Sequence, residues 1–264
     1  MIHMKLTPIQ PNIETYPAEL QHFLSGADIY DSSCSELAQV VFIDKDEGFF
    51  LKSAPKDALK REATMTRYFH GIGMAAEVLS YISDEKDWML TAKIHGEDGA
   101  MEKHTQDPKR LCDIFAERLA MLHSMDFSSC PIPNHTALYL ESAKNNKLNG
   151  TYDKSNFPDS WGYASANEAW AVIEKSGHLL QTDTLLHGDY CLPNIILNDW
   201  KFAGFIDLDN GGVGDRHVDI FWATWTLFWN LKTHDYRQRF IDAYGRDKVS
   251  EDMLRVVAAV EVFG

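Results

Sequence analysis

Between His187 and Asp209 the chain twice interrupts an apolar run with acids and an amide: His187-Gly188-Asp189-Tyr190-Cys191-Leu192-Pro193-Asn194-Ile195-Ile196-Leu197, then Gly204-Phe205-Ile206-Asp207-Leu208-Asp209. Ile195-Ile196-Leu197 and Phe202-Ala203-Gly204-Phe205-Ile206 read as two short strands, with Asn198-Asp199-Trp200-Lys201 as the turn between them. A hairpin of this kind brings Asn194, at its entry, close to Asp207, at its exit. An amide oxygen and a carboxylate held together are hard ligands, suited to Mg²⁺ carried with nucleotide phosphates. Asp189 lies on the loop just before, facing whatever such a metal would carry.

Upstream, Ala38 to Ile43 and Phe49 to Lys52 read as a second hairpin, with its turn at Asp44 to Gly48 and Lys52 near the end of its second strand. Asp31-Ser32-Ser33-Cys34-Ser35, just before it, is a small polar run whose hydroxyls and backbone N–H groups could cover phosphates. It is neither G-x-G-x-x-G nor a Walker A sequence, and a Ser-rich run alone is usually only a turn. Pro55 opens a predicted helix that carries Glu62 to about His70 and ends at Gly71. Glu77 to Tyr81 and Trp88 to Lys93 complete a small antiparallel sheet. A lone Lys–Glu pair is by default a surface contact worth little.

Downstream the pattern turns helical. Predicted helices run from Pro108 to Ser124, Ala137 to Lys147, Ser165 to Ser176, Ile220 to Leu231 and Asp252 to Phe263. His123, Asp126 and Cys130 read as structural, and the Trp-rich stripe of the Ile220 helix as core. Residues 1–30 are Pro-rich and then helical around Ala18 to Leu24, and no chemistry is assigned to them. His187-x-Asp189 and Asp207-x-Asp209 followed by Asp215-x-His217-x-Asp219 also permit a metal-dependent phosphohydrolase. Against it, Asp215 and Asp219 precede a helix whose N-terminus favours acids, and Lys52 and Glu62 are left unexplained.

His-Gly-Asp-x-x-x-x-Asn followed by Ile-Asp resembles the signature of the aminoglycoside phosphotransferases and related small-molecule kinases. HGDYCLPNI, GFID, GDRHVDI and LHSMDFSSCP are similar to the 3′-phosphotransferase branch, the kanamycin kinases, and the resemblance runs from about Ser32 to Phe263. It implies an α+β, two-lobe protein-kinase-like fold: a small antiparallel β N-lobe over residues 1–93, a hinge at 94–96, and a larger, mainly helical C-lobe over 97–264. It implies transfer of the γ-phosphate of ATP to the 3′-hydroxyl of an aminoglycoside antibiotic, and hence resistance. The same fold acting on another small amine or sugar metabolite is the alternative, and a nucleotide-binding protein with little transfer activity is a third reading. In the kinase scheme Asp189 accepts the hydroxyl proton, Asn194 and Asp207 hold Mg²⁺, and Lys52, set by Glu62, binds the phosphates. The resemblance adds Ser33, Ser35, Thr91 and Lys93 on the nucleotide, and Asp153, Asp159, Asp209 and Glu261 on the acceptor. Kanamycin kinases carry acids and an arginine where this chain has Trp222, Trp225 and Trp229. The lack of a Gly-rich loop, Asp-Phe-Gly and Ala-Pro-Glu argues against a protein kinase.

Charge bears on the partner. Among 264 residues, 39 acids against 25 bases give a net charge of −14. That argues against nucleic acid, which demands a basic footprint, and suits a cationic small molecule. Four scattered cysteines without a Cys-x-x-Cys pair fit a reducing compartment. No apolar run approaches the ~20 residues of a membrane span. These features predict a cytoplasmic protein with no membrane partner, a monomer or weak homodimer.

Overall fold

The structure is a computed structural model that describes residues 6–33, 38–152 and 162–264. The chain divides into two compact units, residues 1–104 with 193–210, and residues 105–192 with 211–264.

The first unit is built on a six-stranded antiparallel sheet in the order β1-β2-β3-β4-β6-β5. Its strands are β1 (Thr7–Ile9), β2 (Asp28–Asp31), β3 (Gln39–Asp44), β4 (Phe49–Pro55), β5 (Val78–Ser83) and β6 (Lys86–Ala92). The predicted hairpin is β3–β4, with Lys52 opposite Val40 on one side and Met89 on the other. β1 and β2 were not legible in the sequence. They extend the sheet into residues that carry no alternating pattern long enough to read. Helix α1 (Ala18–Leu24) covers one face through Leu20 and Leu24, which pack with Tyr16, Ile29, Val41, Ile43, Leu51, Trp88 and Leu90.

Helix α2 (Lys60–Gly71) starts later than predicted, because Pro55 still pairs with Lys86 as the last residue of β4. The turn into α2 is fixed by Asp87, fully buried, which accepts the Leu59 N–H and the Tyr81 hydroxyl, each at 2.9 Å. Glu62 thereby falls in the first helical turn, facing inward.

The same unit contains a three-stranded sheet, β10-β9-β7, formed by β7 (Glu97–Asp98), β9 (Ile195–Asn198) and β10 (Lys201–Phe205). Asp199 and Trp200 have φ of 49° and 64°, the left-handed pair that a two-residue type I′ hairpin requires. The ladder shifts register between Phe202 and Gly204. At Gly204 a Cβ would meet Ile94 Cδ1 at 2.7 Å, so a larger residue here would require the end of the Ile94 side chain to move.

The second unit is mainly helical: α4 (Pro108–Leu122), α5 (His135–Asn149), α6 (Ala166–Ser176), α7 (His217–Leu231), α8 (Asp235–Tyr244) and α9 (Glu251–Glu261), with the short α3 (Glu102–Thr105) running across the sequence boundary of the two units just before them. A two-stranded sheet pairs β8 (Thr184–Leu186) with β11 (Gly212–Gly214). α5, α6 and α9 bury Ala143, Ala169, Ile173, Ala259 and Val260 around Tyr163 and Phe263. α8 was not expected. Its low-hydrophobicity sequence hides a core stripe of Phe240, Ile241 and Tyr244. The α7 stripe departs from the expected core: Leu227 is buried, but Phe228 and Trp229 are 38% and 42% exposed. Among the described residues no helix is long and apolar enough to cross a membrane.

Candidate active site

In the first unit, β4 carries Lys52 with its side chain on the face opposite Leu51, toward α2. Its Nζ donates to Glu62 Oε2 at 2.7 Å and to Asp207 Oδ1 at 2.9 Å. Burial would lower the Lys52 pKa, but the two carboxylates outweigh it and hold the ammonium above the ordinary lysine value. Burial pushes Glu62 up to about 7, against the pull of Lys52. Asp207 lies two residues past β10 with φ 59°, a left-handed conformation that costs a non-glycine residue energy and that turns the chain sharply at the carboxylate. Asn194 is buried, and its carbonyl accepts the Ile206 N–H at 3.0 Å. The hairpin therefore does set the backbone of Asn194 beside that of the residue preceding Asp207.

An amide oxygen and a half-exposed carboxylate form a donor set that fits Mg²⁺, which keeps several waters and phosphate oxygens and needs few protein ligands. Among the described residues there is no group of three or more His, Cys, Asp or Glu that could hold a metal by itself. Asp209, expected at the acceptor, sits electrostatically with Arg61, Lys52 and Asp207. Burial raises its pKa, Arg61 and Lys52 pull it down, and the net shift is upward.

In the second unit, Asp189 follows β8 on a loop that turns at Gly188, whose φ is 88°. The loop is bound through its backbone to α7. Asp219, fully buried, accepts the His187 N–H at 2.9 Å and the Gly188 N–H at 2.8 Å. His123 Nε2 donates to Asp219 Oδ2 at 3.0 Å, and His123 Nδ1 accepts the Tyr244 hydroxyl at 2.8 Å. Burial would raise the Asp219 pKa, but the His123 contact and the Gly188 N–H hold it below the usual value. Tyr190 points the other way, its hydroxyl on the Phe115 carbonyl at 2.8 Å and its ring stacked on Phe115. The far end of the loop is pinned where Leu192 N–H meets Thr226 Oγ1 at 3.2 Å. His123 is structural, as the sequence suggested. Asp219 does far more than cap a helix.

Glu261, at the end of α9, is partly buried. Its Oε1 accepts the Tyr139 hydroxyl at 2.6 Å and the Trp222 indole N–H at 3.1 Å. Burial drives its pKa up to about 7. Both hydrogen bonds oppose that shift, and the charge of Asp189 adds to it.

The Asp215 and His217 side chains of the hydrolase reading are committed to other partners. Asp215 accepts the Gln181 N–H at 2.7 Å, and its other oxygen takes the His217 N–H at 2.9 Å and ring Nδ1 at 2.6 Å. His217 Nε2 accepts the Ser250 N–H at 2.9 Å, so the proton lies on Nδ1 and the ring has no lone pair left for a metal.

The other expected residues are placed as follows. Ser33 has its hydroxyl on Asp31 Oδ1 at 2.6 Å and accepts the Val40 N–H at 2.9 Å, tying the end of β2 to β3. Thr91 lies in β6 opposite Phe50 and Val78. Lys93 donates its N–H to Gly48 O at 3.0 Å and lays its ammonium 4.9 Å over the Phe42 ring. Ser35, Asp153 and Asp159 lie outside the described residues. Sequence reasoning missed Asp219 and Thr226 as the anchors of the Asp189 loop, and Arg61 as the cation near Asp209. No local spacing signals them.

Residues 33–256 match the family model described as the phosphotransferase enzyme family. The chain is 48% identical, over 98% of its own length and 99% of the relative's, to a probable aminoglycoside 3′-phosphotransferase of Lactococcus lactis subsp. lactis. Among solved structures it is similar to an aminoglycoside 3′-phosphotransferase of type VIII, with TM-score 0.72 and 21% identity over 85% of this chain and 88% of that one. It is also similar to an aminoglycoside phosphotransferase of Streptomyces rimosus in complex with ADP and streptomycin, with TM-score 0.68 and 19% identity over 85% of this chain and 90% of that one. These likenesses establish the α+β fold.

Proposed function

The chain belongs to the phosphotransferase enzyme family, and we propose that it transfers the γ-phosphate of ATP to the 3′-hydroxyl of an aminoglycoside, so conferring resistance. The observation that carries the chemistry is the Lys52 ammonium bridging Glu62 and Asp207, the latter 155 positions away in sequence. That is the arrangement a phosphoryl-transfer site uses to seat nucleotide phosphates. The likeness to 3′-phosphotransferases supports the acceptor.

In this reading residues 1–93 bind the nucleotide, 94–96 form the hinge, and 97–264 supply catalysis and acceptor binding. Lys52 takes α/β-phosphate oxygens and Glu62 keeps it oriented. Asn194 and Asp207 would hold Mg²⁺, which supplies charge neutralisation at the phosphates. Asp189 orients the acceptor hydroxyl and accepts its proton as the new O–P bond forms and the bond from the γ-phosphorus to the bridging oxygen of ADP breaks. Asp219 keeps that loop in register. Such chemistry is mostly positioning and electrostatics, so this short set suffices. Ser33, Ser35, Thr91 and Lys93 remain proposed on the nucleotide side, and Asp153, Asp159 and Glu261 on the acceptor side. Asp209 is proposed to act from the Lys52–Asp207 group.

The indoles of α7, two half-buried and Trp229 exposed, favour a second reading, a kinase for another small amine or sugar metabolite. A coupled ADP-release assay with kanamycin and a panel of amines and sugars decides between them, with the product mapped by NMR. Kanamycin-dependent ADP release with phosphate on the 3′-oxygen is expected. Release only with a different acceptor supports the second reading, and no acceptor-dependent release contradicts both.

A further inference from the structure

Helix α7 presents a row of indoles that the proposed reaction does not use. Trp222 and Trp225 are half-buried, and their ring centroids are 5.5 Å apart at 79°. Trp225 and Trp229 stack at 5.4 Å, 5° from parallel. The Lys232 ammonium then lies 4.1 Å over the Trp229 ring. The row thus ends on a cation.

Its placement follows from helix geometry. Thr226 is the α7 residue that anchors the Asp189 loop at Leu192. At about 100° per residue, Trp222, Trp229 and Trp225 lie roughly 40°, 60° and 100° round the helix from Thr226, all on the same side. The inner end of the row is tied by the Trp222 N–H to Glu261, the carboxylate that feels the charge of Asp189. The outer end, about 10 Å along the axis, is Trp229, 42% exposed. The last ring of the row is open to solvent and already faced by an ammonium. Lys232 reaches it from a left-handed C-cap with φ 57°, a position where glycine is the usual occupant.

Indole is the best aromatic face for an ammonium group. Resting on the phosphotransferase reading above, we propose that Trp225 and Trp229 form a cation–π subsite for an ammonium group of the acceptor, with Lys232 as an internal occupant that the acceptor displaces. The subsite recognises amino sugars by ring faces where a carboxylate would otherwise serve, and it makes Trp229 a determinant of acceptor specificity.

The test uses the full-length enzyme with kanamycin as probe. Kd is measured by calorimetry and by quenching of tryptophan fluorescence, and KM for kanamycin and for ATP by coupled assay. Trp229→Ala should weaken kanamycin two- to fivefold, the size of an exposed cation–π contact, without a matching change in Kd for ATP. Trp229→Phe should recover most of that loss. Lys232→Ala should tighten kanamycin by removing the competitor, which a merely structural lysine would not do. Unchanged kanamycin affinity in both Trp229→Ala and Lys232→Ala, in an enzyme that still phosphorylates kanamycin, overturns this inference alone. A wild type that neither binds kanamycin nor forms ADP with it overturns the phosphotransferase reading and this inference with it.

Discussion

Asp219 Oδ1 accepts the Gly188 N–H at 2.8 Å, across 31 positions of sequence and from inside the helical unit. Because Asp219 Oδ2 takes the neighbouring His187 N–H at 2.9 Å, one buried carboxylate fixes both peptide groups that lead into Asp189. A base that must meet a hydroxyl within hydrogen-bond reach needs this kind of support, since small displacements cost rate steeply. Asp219→Asn keeps the shape but sets an NH₂ against one of those backbone donors. A loss of about 1–3 kcal/mol in stability is expected for a buried hydrogen-bond group left unpaired, together with at least a tenfold fall in kcat. Urea denaturation and steady-state kinetics measure the two. A stable variant with undiminished kcat would show that the loop is positioned by something else.

Asp189→Asn tests the base directly. It preserves size and most hydrogen bonding but removes the proton acceptor, so kcat should fall about 10²–10⁴-fold. Mg-ATP affinity should hold, because in this reading Asn194 and Asp207 carry the metal, Lys52 carries the phosphates, and Asp189 faces the acceptor. Calorimetry and a coupled ADP assay on the same preparation separate these effects. Weakened Mg-ATP binding with a modest, proportionate rate loss would point to a ligand role for Asp189 and contradict the assignment.

Lys52→Ala should raise the KM for ATP strongly while the fold survives, since Asp207 is half-exposed and the buried Glu62, already raised to about 7, can take up a proton once its cation is gone. Asp207→Ala should abolish Mg²⁺-dependent transfer by removing the one carboxylate of a sparse donor set. Nucleotide titration and Mg²⁺-dependence of the rate check both. Wild-type ATP affinity in Lys52→Ala would reduce the Lys52–Glu62–Asp207 bridge to a structural ion pair.

Glu261 makes a prediction about pH. Its carboxyl is raised from the usual 4.5 to about 7 by burial and by Asp189, so the folded state binds its proton more tightly than the unfolded state. Stability from this group is therefore full below about pH 4.5 and is lost as pH rises through about 7, a change on the order of 3 kcal/mol. Glu62 is shifted in the same direction and leaves part of the slope in place. Denaturation midpoints of wild type and Glu261→Gln between pH 5 and 8 should converge at low pH and diverge at high pH, with the variant the more stable above pH 7. Parallel curves would mean that Glu261 titrates at its ordinary value.

The sequence by itself determined the hairpin of β9 and β10, the order of acid and amide around it, the β3–β4 hairpin that carries Lys52, and most of the helices. These are local matters. Alternating apolar runs, a turn that tolerates left-handed residues, and helical spacing are written in neighbouring positions. Only the tertiary structure decided which charges meet. Glu62 was one of three adjacent charged residues, Lys60, Arg61 and Glu62, until the Asp87-closed turn started α2 at Lys60 and faced Glu62 inward. Asp219 looked like an acid at a helix start until the fold buried it under the His187–Gly188 peptides. The indoles of α7 scanned as core because hydrophobicity says that a ring is to be covered, not by what; burial of Leu227 and exposure of Trp229, two positions apart, is settled by what packs against each side of the helix. Pairings across tens or hundreds of residues leave no periodic trace in the chain, and the chemistry of the site lies in those pairings.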